Sequence, residues 1–101
     1  MNESFLAHVG RDDQGRSTIR LHGELDLAET DMLASVLDDA VGSTVIVDLA
    51  DLSFIDATGL SALAAAKWRA HADGRRLLIR GARGFVRTVF QLGDLEDLLT
   101  E

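Results

Sequence analysis

The sequence predicts an α/β fold, a single domain in which a mixed β-sheet of about four to five strands packs with about three to four helices. Three observations predict it. The segment STIRLHG, residues 17 to 23, alternates apolar and polar side chains with the period of a half-buried strand. The segment TVIVDL, residues 44 to 49, is apolar on both faces until Asp48, as befits a central strand covered by helices on one or both sides. Between and after these segments, apolar residues recur at helical spacing.

In chain order, a strand over residues 3 to 9 and the polar turn RDDQG form a hairpin with residues 17 to 23, where Ile19 and Leu21 share one face and Arg20 and His22 the other. The stretch DLAETDMLASVLDDAV then reads as an amphipathic helix. Leu33, Val36, Leu37, Ala40 and Val41 form its apolar side, Asp26 and Glu29 make a capping start, and Gly42 makes a stop. After the central strand and ADLSFI, the residues ATGLSALAAAKWRAHADG predict a helix of about four turns, capped by Asp56 and terminated by Gly74. RRLLIRG gives a further strand and GFVRTVFQLG a third helix, with Phe85, Val89 and Leu92 on one side. The tail DLEDLLTE fits either a helix or an edge strand.

The 101 residues, 47% of them hydrophobic, suffice for one modest core, so one domain spanning residues 1 to 101 is expected. No apolar run approaches the roughly 18 residues of a membrane span, and MNESFLAHV lacks the basic start and apolar stretch of a signal peptide, so the expectation is a cytoplasmic protein without membrane insertion. There is no cysteine, hence neither a disulfide framework nor a thiolate metal site. The net charge of -7 argues against nucleic acid as a partner. That charge is unevenly spread: residues 1 to 56 hold twelve acids and three arginines, residues 57 to 93 one acid and seven bases, and the last eight residues four acids. A two-signed surface suits a charged protein partner.

The stretch FIDATGL, residues 54 to 60, sets a polar cluster directly behind an apolar strand. Three interpretations of the residues compete. In the simplest, Asp56 caps the next helix and Gly59 permits close packing. In the second, Thr58 is a phosphoacceptor in the first helical turn, where unpaired N–H groups and the positive end of the helix dipole receive a phosphate. In the third, Asp56 is an aspartyl-phosphate nucleophile, since D-x-T-G behind a strand resembles the motif of ion-pumping ATPases and haloacid-dehalogenase-like phosphatases. That enzyme needs a longer doubly wound sheet to assemble its nucleophile, lysine and metal carboxylates. The chain's one lysine, Lys67, falls on the same predicted helix as Thr58, more than two turns on. A binding protein, not an enzyme, is expected.

No metal is expected from His8, His22 and His71, which have no ligand spacing, and no cofactor is implied; GARG at residues 81 to 84 is too short a glycine pattern for a nucleotide site. Arg80, Arg83 and Arg87 are candidates for a basic rim.

VIVDLADLSFIDATGL as a whole resembles the central signature of the STAS domain of bacterial anti-sigma factor antagonists. LHGELDLAETDMLASVL is similar to that family's strand, turn and first helix, with Gly23 and Asp26 matching its habitual glycine and aspartate, and DGRRLLIRGARGFVRTVFQLGDLEDLL to its closing strand, third helix and final segment. The resemblance implies a STAS-like fold, phosphorylation at Thr58 and a docking role for Asp26. It also implies an anti-sigma factor partner, a serine/threonine kinase of histidine-kinase-like fold, and a phosphatase that restores the unmodified form. Alanine stands at position 57 where the family commonly has serine, which leaves Thr58 as the only hydroxyl of DATG.

Projected from Thr58, the helix carries Ser61, Ala62, Ala65 and Arg69 on the same face, while Leu60, Leu63, Ala64 and Trp68 lie further round toward the sheet. With Asp26 added on the strength of the resemblance, the expected partner surface comprises Asp26, Asp56, Thr58, Gly59, Ser61, Ala62, Ala65 and Arg69. The alternative is a constitutive STAS-type subunit of a lipid-transport or signalling-scaffold complex, with Thr58 never modified. In either case the chain is expected to be a monomer or weak dimer.

Overall fold

The structure, a computed structural model, describes residues 4 to 100. The elements run β1 (Leu6–Arg11), β2 (Ser17–Leu25), a 3-10 turn (Leu27–Glu29), α1 (Thr30–Asp39), β3 (Thr44–Ile55), α2 (Ala57–Ala72), β4 (Arg76–Arg80), α3 (Gly84–Leu92) and a second 3-10 turn (Glu96–Leu98). The predicted mixed sheet is present with four strands in the order β1-β2-β3-β4. The β1–β2 hairpin is antiparallel, and β2–β3 and β3–β4 are parallel, each joined by a helical crossover as parallel strands require. Glu3 and Glu101, which the predicted first strand and tail included, lie outside the described residues.

The hairpin turn is held by Asp12, whose carboxylate accepts the N–H groups of Gln14 and Arg16 at 2.9 Å and pairs with Arg16 Nε at 2.6 Å. Ile19, Leu21 and Leu25 of β2 alternate into one face of the sheet, where they join Val45, Val47 and Leu49 of β3 and Leu77 and Ile79 of β4. All three helices bury their apolar sides in this single core, through Leu33 and Leu37 of α1, Leu60, Leu63 and Ala66 of α2, and Val86 and Phe90 of α3. The helices thus cover one face of the central strand. Its other face, with Ile46 and Asp48, lines an open concavity together with Arg20 of β2 and Arg80 of β4.

Four predicted features differ in the structure. β3 continues through ADLSFI to Ile55, past Asp48 where the run apolar on both faces ends, and it pairs with β2 there through two register shifts. α1 ends at Asp39, so Val41 lies beyond it and is exposed; the chain turns at Gly42, φ +95°. In α3 the buried side is Val86 and Phe90, while Phe85 and Leu92 face outward and Phe85 stacks on Phe54 with centroids 5.5 Å apart. Both sets have helical spacing, and only contact with the sheet selects between them. Trp68, expected toward the sheet, is 69% exposed, and Ala66 takes the core position instead. The tail resolves its ambiguity by doing both things in turn: a 3-10 turn, then Leu99 bridging alongside Ile79 at the edge of β4.

Candidate functional site

The junction between β3 and α2 places FIDATGL at the rim of the sheet. Asp56 has extended backbone, and its Oδ1 accepts the Gly59 N–H at 2.9 Å, which caps α2 as the sequence implies. The same oxygen accepts the Thr58 hydroxyl at 2.6 Å. Partial burial pushes the Asp56 carboxyl up, but the hydrogen bonds from the Thr58 hydroxyl and from the Gly59 and Thr58 N–H groups outweigh it and hold the group below its ordinary value. Thr58 is exposed, so its hydroxyl sits one short hydrogen bond from a carboxylate at the open end of a sixteen-residue helix. A phosphoryl group there would meet solvent, and the positive end of the helix dipole would offset part of its charge.

Asp26 ends β2 next door and caps the 3-10 turn, its Oδ1 accepting the Ala28 N–H at 3.0 Å. Ser61, Ala65 and Arg69 are exposed along α2 and Ala62 is half-buried, so the predicted face does point away from the sheet. Gly59 differs from its neighbours because it is buried. A Cβ at this position would lie 2.6 Å from the Leu25 carbonyl oxygen, so this glycine permits the contact of α2 with β2 instead of offering surface to another molecule. Leu27, Thr30, Ala57, Thr58, Ser61 and Ala62 line a shallow, largely apolar depression of about 430 Å³. Leu27 carries no pattern in the sequence that marks it; it becomes part of this rim because Asp26 turns the chain and leaves the leucine 69% exposed.

The family profile described as "Mlab, STAS domain" matches residues 9–100. The chain belongs to the STAS-domain family. No curated protein matches it. Among solved structures, this STAS domain is similar to the unphosphorylated form of the anti-sigma factor antagonist SpoIIAA, with 22% identity over 94% of this chain and 86% of that one and a TM-score of 0.74. An anti-sigma factor antagonist from Mycobacterium paratuberculosis matches at 25% identity over 95% and 83% of the two chains, TM-score 0.75. The phosphorylated form of SpoIIAA, from Bacillus, matches at 23% identity over 94% and 89%, TM-score 0.69.

The remaining candidates are scattered over the STAS domain. Among the described residues no group of three or more His, Asp or Glu side chains is placed to hold a metal, and no helix is long and apolar enough to cross a membrane. Lys67 Nζ donates to the Leu98 carbonyl oxygen at 3.0 Å, some 16 Å along the α2 axis from Asp56, so the two do not form one reaction centre. Arg83 Nε donates to the Ala50 carbonyl oxygen and Arg87 pairs with Glu96 at 3.1 Å, so these two arginines tie segments of the fold together.

Proposed function

We propose that the chain is an anti-sigma factor antagonist regulated at Thr58. The unmodified protein docks through the α2 face, together with Asp26 and the Leu27 depression, on an anti-sigma factor that is a serine/threonine kinase of histidine-kinase-like fold, and the sigma factor is released. Phosphorylation of Thr58 by that kinase ends the docking, and a phosphatase restores it. The observation that carries this reading is the exposed Thr58 hydroxyl at the rim of an apolar depression, with Asp56 against it. The likeness to antagonist structures, one of them solved in both unphosphorylated and phosphorylated forms, supports it.

The electrostatics give the switch its direction. A phosphate adds roughly -1.5 to -2 charge and three strongly hydrated oxygens. Here it replaces the hydrogen bond from Thr58 to Asp56 with like-charge repulsion that the positive end of α2 offsets in part, and it stands on a surface that a partner must dehydrate to cover, so the complex bears a cost that the free protein does not.

The test is to incubate the protein with ATP and the cognate anti-sigma kinase and to locate the modification by mass spectrometry, then to compare Thr58→Ala and Thr58→Glu in binding. A single phosphate on Thr58 and at least about tenfold weaker binding of Thr58→Glu than of Thr58→Ala are expected. Equal affinity of the two variants, with no phosphate on Thr58, leaves the constitutive-subunit function in its place.

A further inference from the structure

Trp68 is the sole tryptophan of the chain, and it lies 69% exposed on the helix that carries Thr58. Its position there is not isolated. Thr58, Ser61, Ala65, Trp68 and Ala72 follow one another at intervals of three and four, all are exposed, and at that spacing they form one stripe along α2. The indole also lines a small, almost wholly apolar trough of about 180 Å³ together with Lys67, His71 and Leu98. The trough has a built wall, because the Lys67 Nζ bond to the Leu98 carbonyl fixes the tail against the helix and holds a cation at its margin.

The two ends of the stripe differ in sign. Asp26 and Asp56 flank the Thr58 end; Lys67, Arg69 and His71 flank Trp68, with Asp73 beyond the last turn and Asp97 on the tail. Arg69 forms no ion pair among the described residues. A surface complementary to the far end of this stripe carries, ten residues along α2 from Thr58, an apolar pocket edged by carboxylates. We infer that Trp68 is the anchor of the antagonist's contact with its kinase partner, its indole entering such an acid-edged apolar pocket. This rests on the function proposed above and adds a contact to it.

Distance gives the anchor a separate role from the switch. Ten residues of helix place Trp68 about 15 Å from Thr58, beyond the Debye length of about 8 Å at physiological salt. A phosphate at Thr58 is therefore screened from the Trp68 contact, and the two effects on affinity multiply without coupling. Large aromatic side chains that become fully desolvated dominate interfaces of ordinary size, so loss of this one is a large effect.

The experiment uses the full chain labelled with 5-fluorotryptophan, which gives a single fluorine resonance, titrated with the unlabelled anti-sigma kinase. On binding, the resonance shifts and loses its sensitivity to exchange of H2O for D2O. Trp68→Ala weakens binding at least about tenfold, Trp68→Phe recovers part of the loss, and Trp68→Ala with Thr58→Glu weakens it by the product of the single effects. A resonance that does not move while the kinase binds, or Trp68→Ala binding as tightly as the parent, overturns the anchor and leaves the antagonist function standing. Failure of the parent protein to bind the kinase overturns both. The fluorine measurement needs no substitution at position 68, so a misfolded variant cannot decide the result.

Discussion

At the scale of the residue, Asp56 does two tasks with one oxygen, capping α2 and receiving the Thr58 hydroxyl. Asp56→Ala removes the cap and is expected to cost about 1 kcal/mol, or some 4–8 °C of Tm in a domain of this size, read by thermal unfolding. The pH dependence has a definite sign. Its folded value lies below 3.8, so the carboxylate's contribution is fully present above the unfolded value and is lost as pH falls through the folded one. Unfolding curves of the parent and Asp56→Ala should differ most above pH 4 or so and converge at lower pH. Gly59 offers a sharper contrast. Helix propensity alone favours Gly59→Ala by about 1 kcal/mol. The new Cβ, however, meets the Leu25 backbone oxygen at 2.6 Å, and a backbone atom cannot swing aside. Destabilisation of about 1–3 kcal/mol in urea unfolding is expected, and a stabilised variant would show that α2 and β2 can part at no cost.

At the scale of the element, the same packing explains which parts of the fold are legible in the sequence. α2 was readable from both ends, since an aspartate at its start and a glycine behind its end leave few alternatives, and both act as their chemistry suggests. Much of the Thr58 face followed from spacing alone. β3 is readable only to Leu49, because its signal is a run apolar on both faces, and that run ends at Asp48, whose carboxylate accepts the Ala50 N–H. The phase of α3 was hidden for a different reason: Phe85, Val86, Val89, Phe90 and Leu92 supply two overlapping apolar stripes, and the sheet selects one. Phe90→Ala should therefore cost about 3–5 kcal/mol, as a fully buried ring. Phe85→Ala should cost only about 0.5–1.5 kcal/mol, the worth of its stacking on Phe54. Chemical denaturation separates the two, and equal losses would contradict the observed phase. The exposure of Trp68 and Leu27 is not legible in the sequence, because a large apolar residue on a helix or after a cap is ordinarily a core residue and nothing local marks these two.

At the scale of the whole molecule, the four strands are unequal. Among the described residues, β2 and β3 each have a strand on both sides, β4 has β3 and the Leu99 bridge, and β1 pairs with β2 alone. Amide hydrogen exchange should follow that ranking, slowest at Val45–Leu49 and Ile19–Leu21 and faster along β1. Uniform protection across the sheet would contradict it. The sequence's division of charge also acquires a spatial meaning, with acids at the Thr58 end of α2 and bases toward its far end, so that one helix presents both signs to an approaching macromolecule.

The one-sided layering has a practical consequence for the laboratory. With every helix on the same side, the bare side of the sheet is a place where a handle can be mounted without obstructing α2. The native chain contains no thiol to compete, so Arg80→Cys, at an exposed site on β4, offers a unique point for a biotin or dye. Molecules tethered there would all stand in one orientation on a sensor chip, presenting Thr58 and Trp68 to whatever flows past.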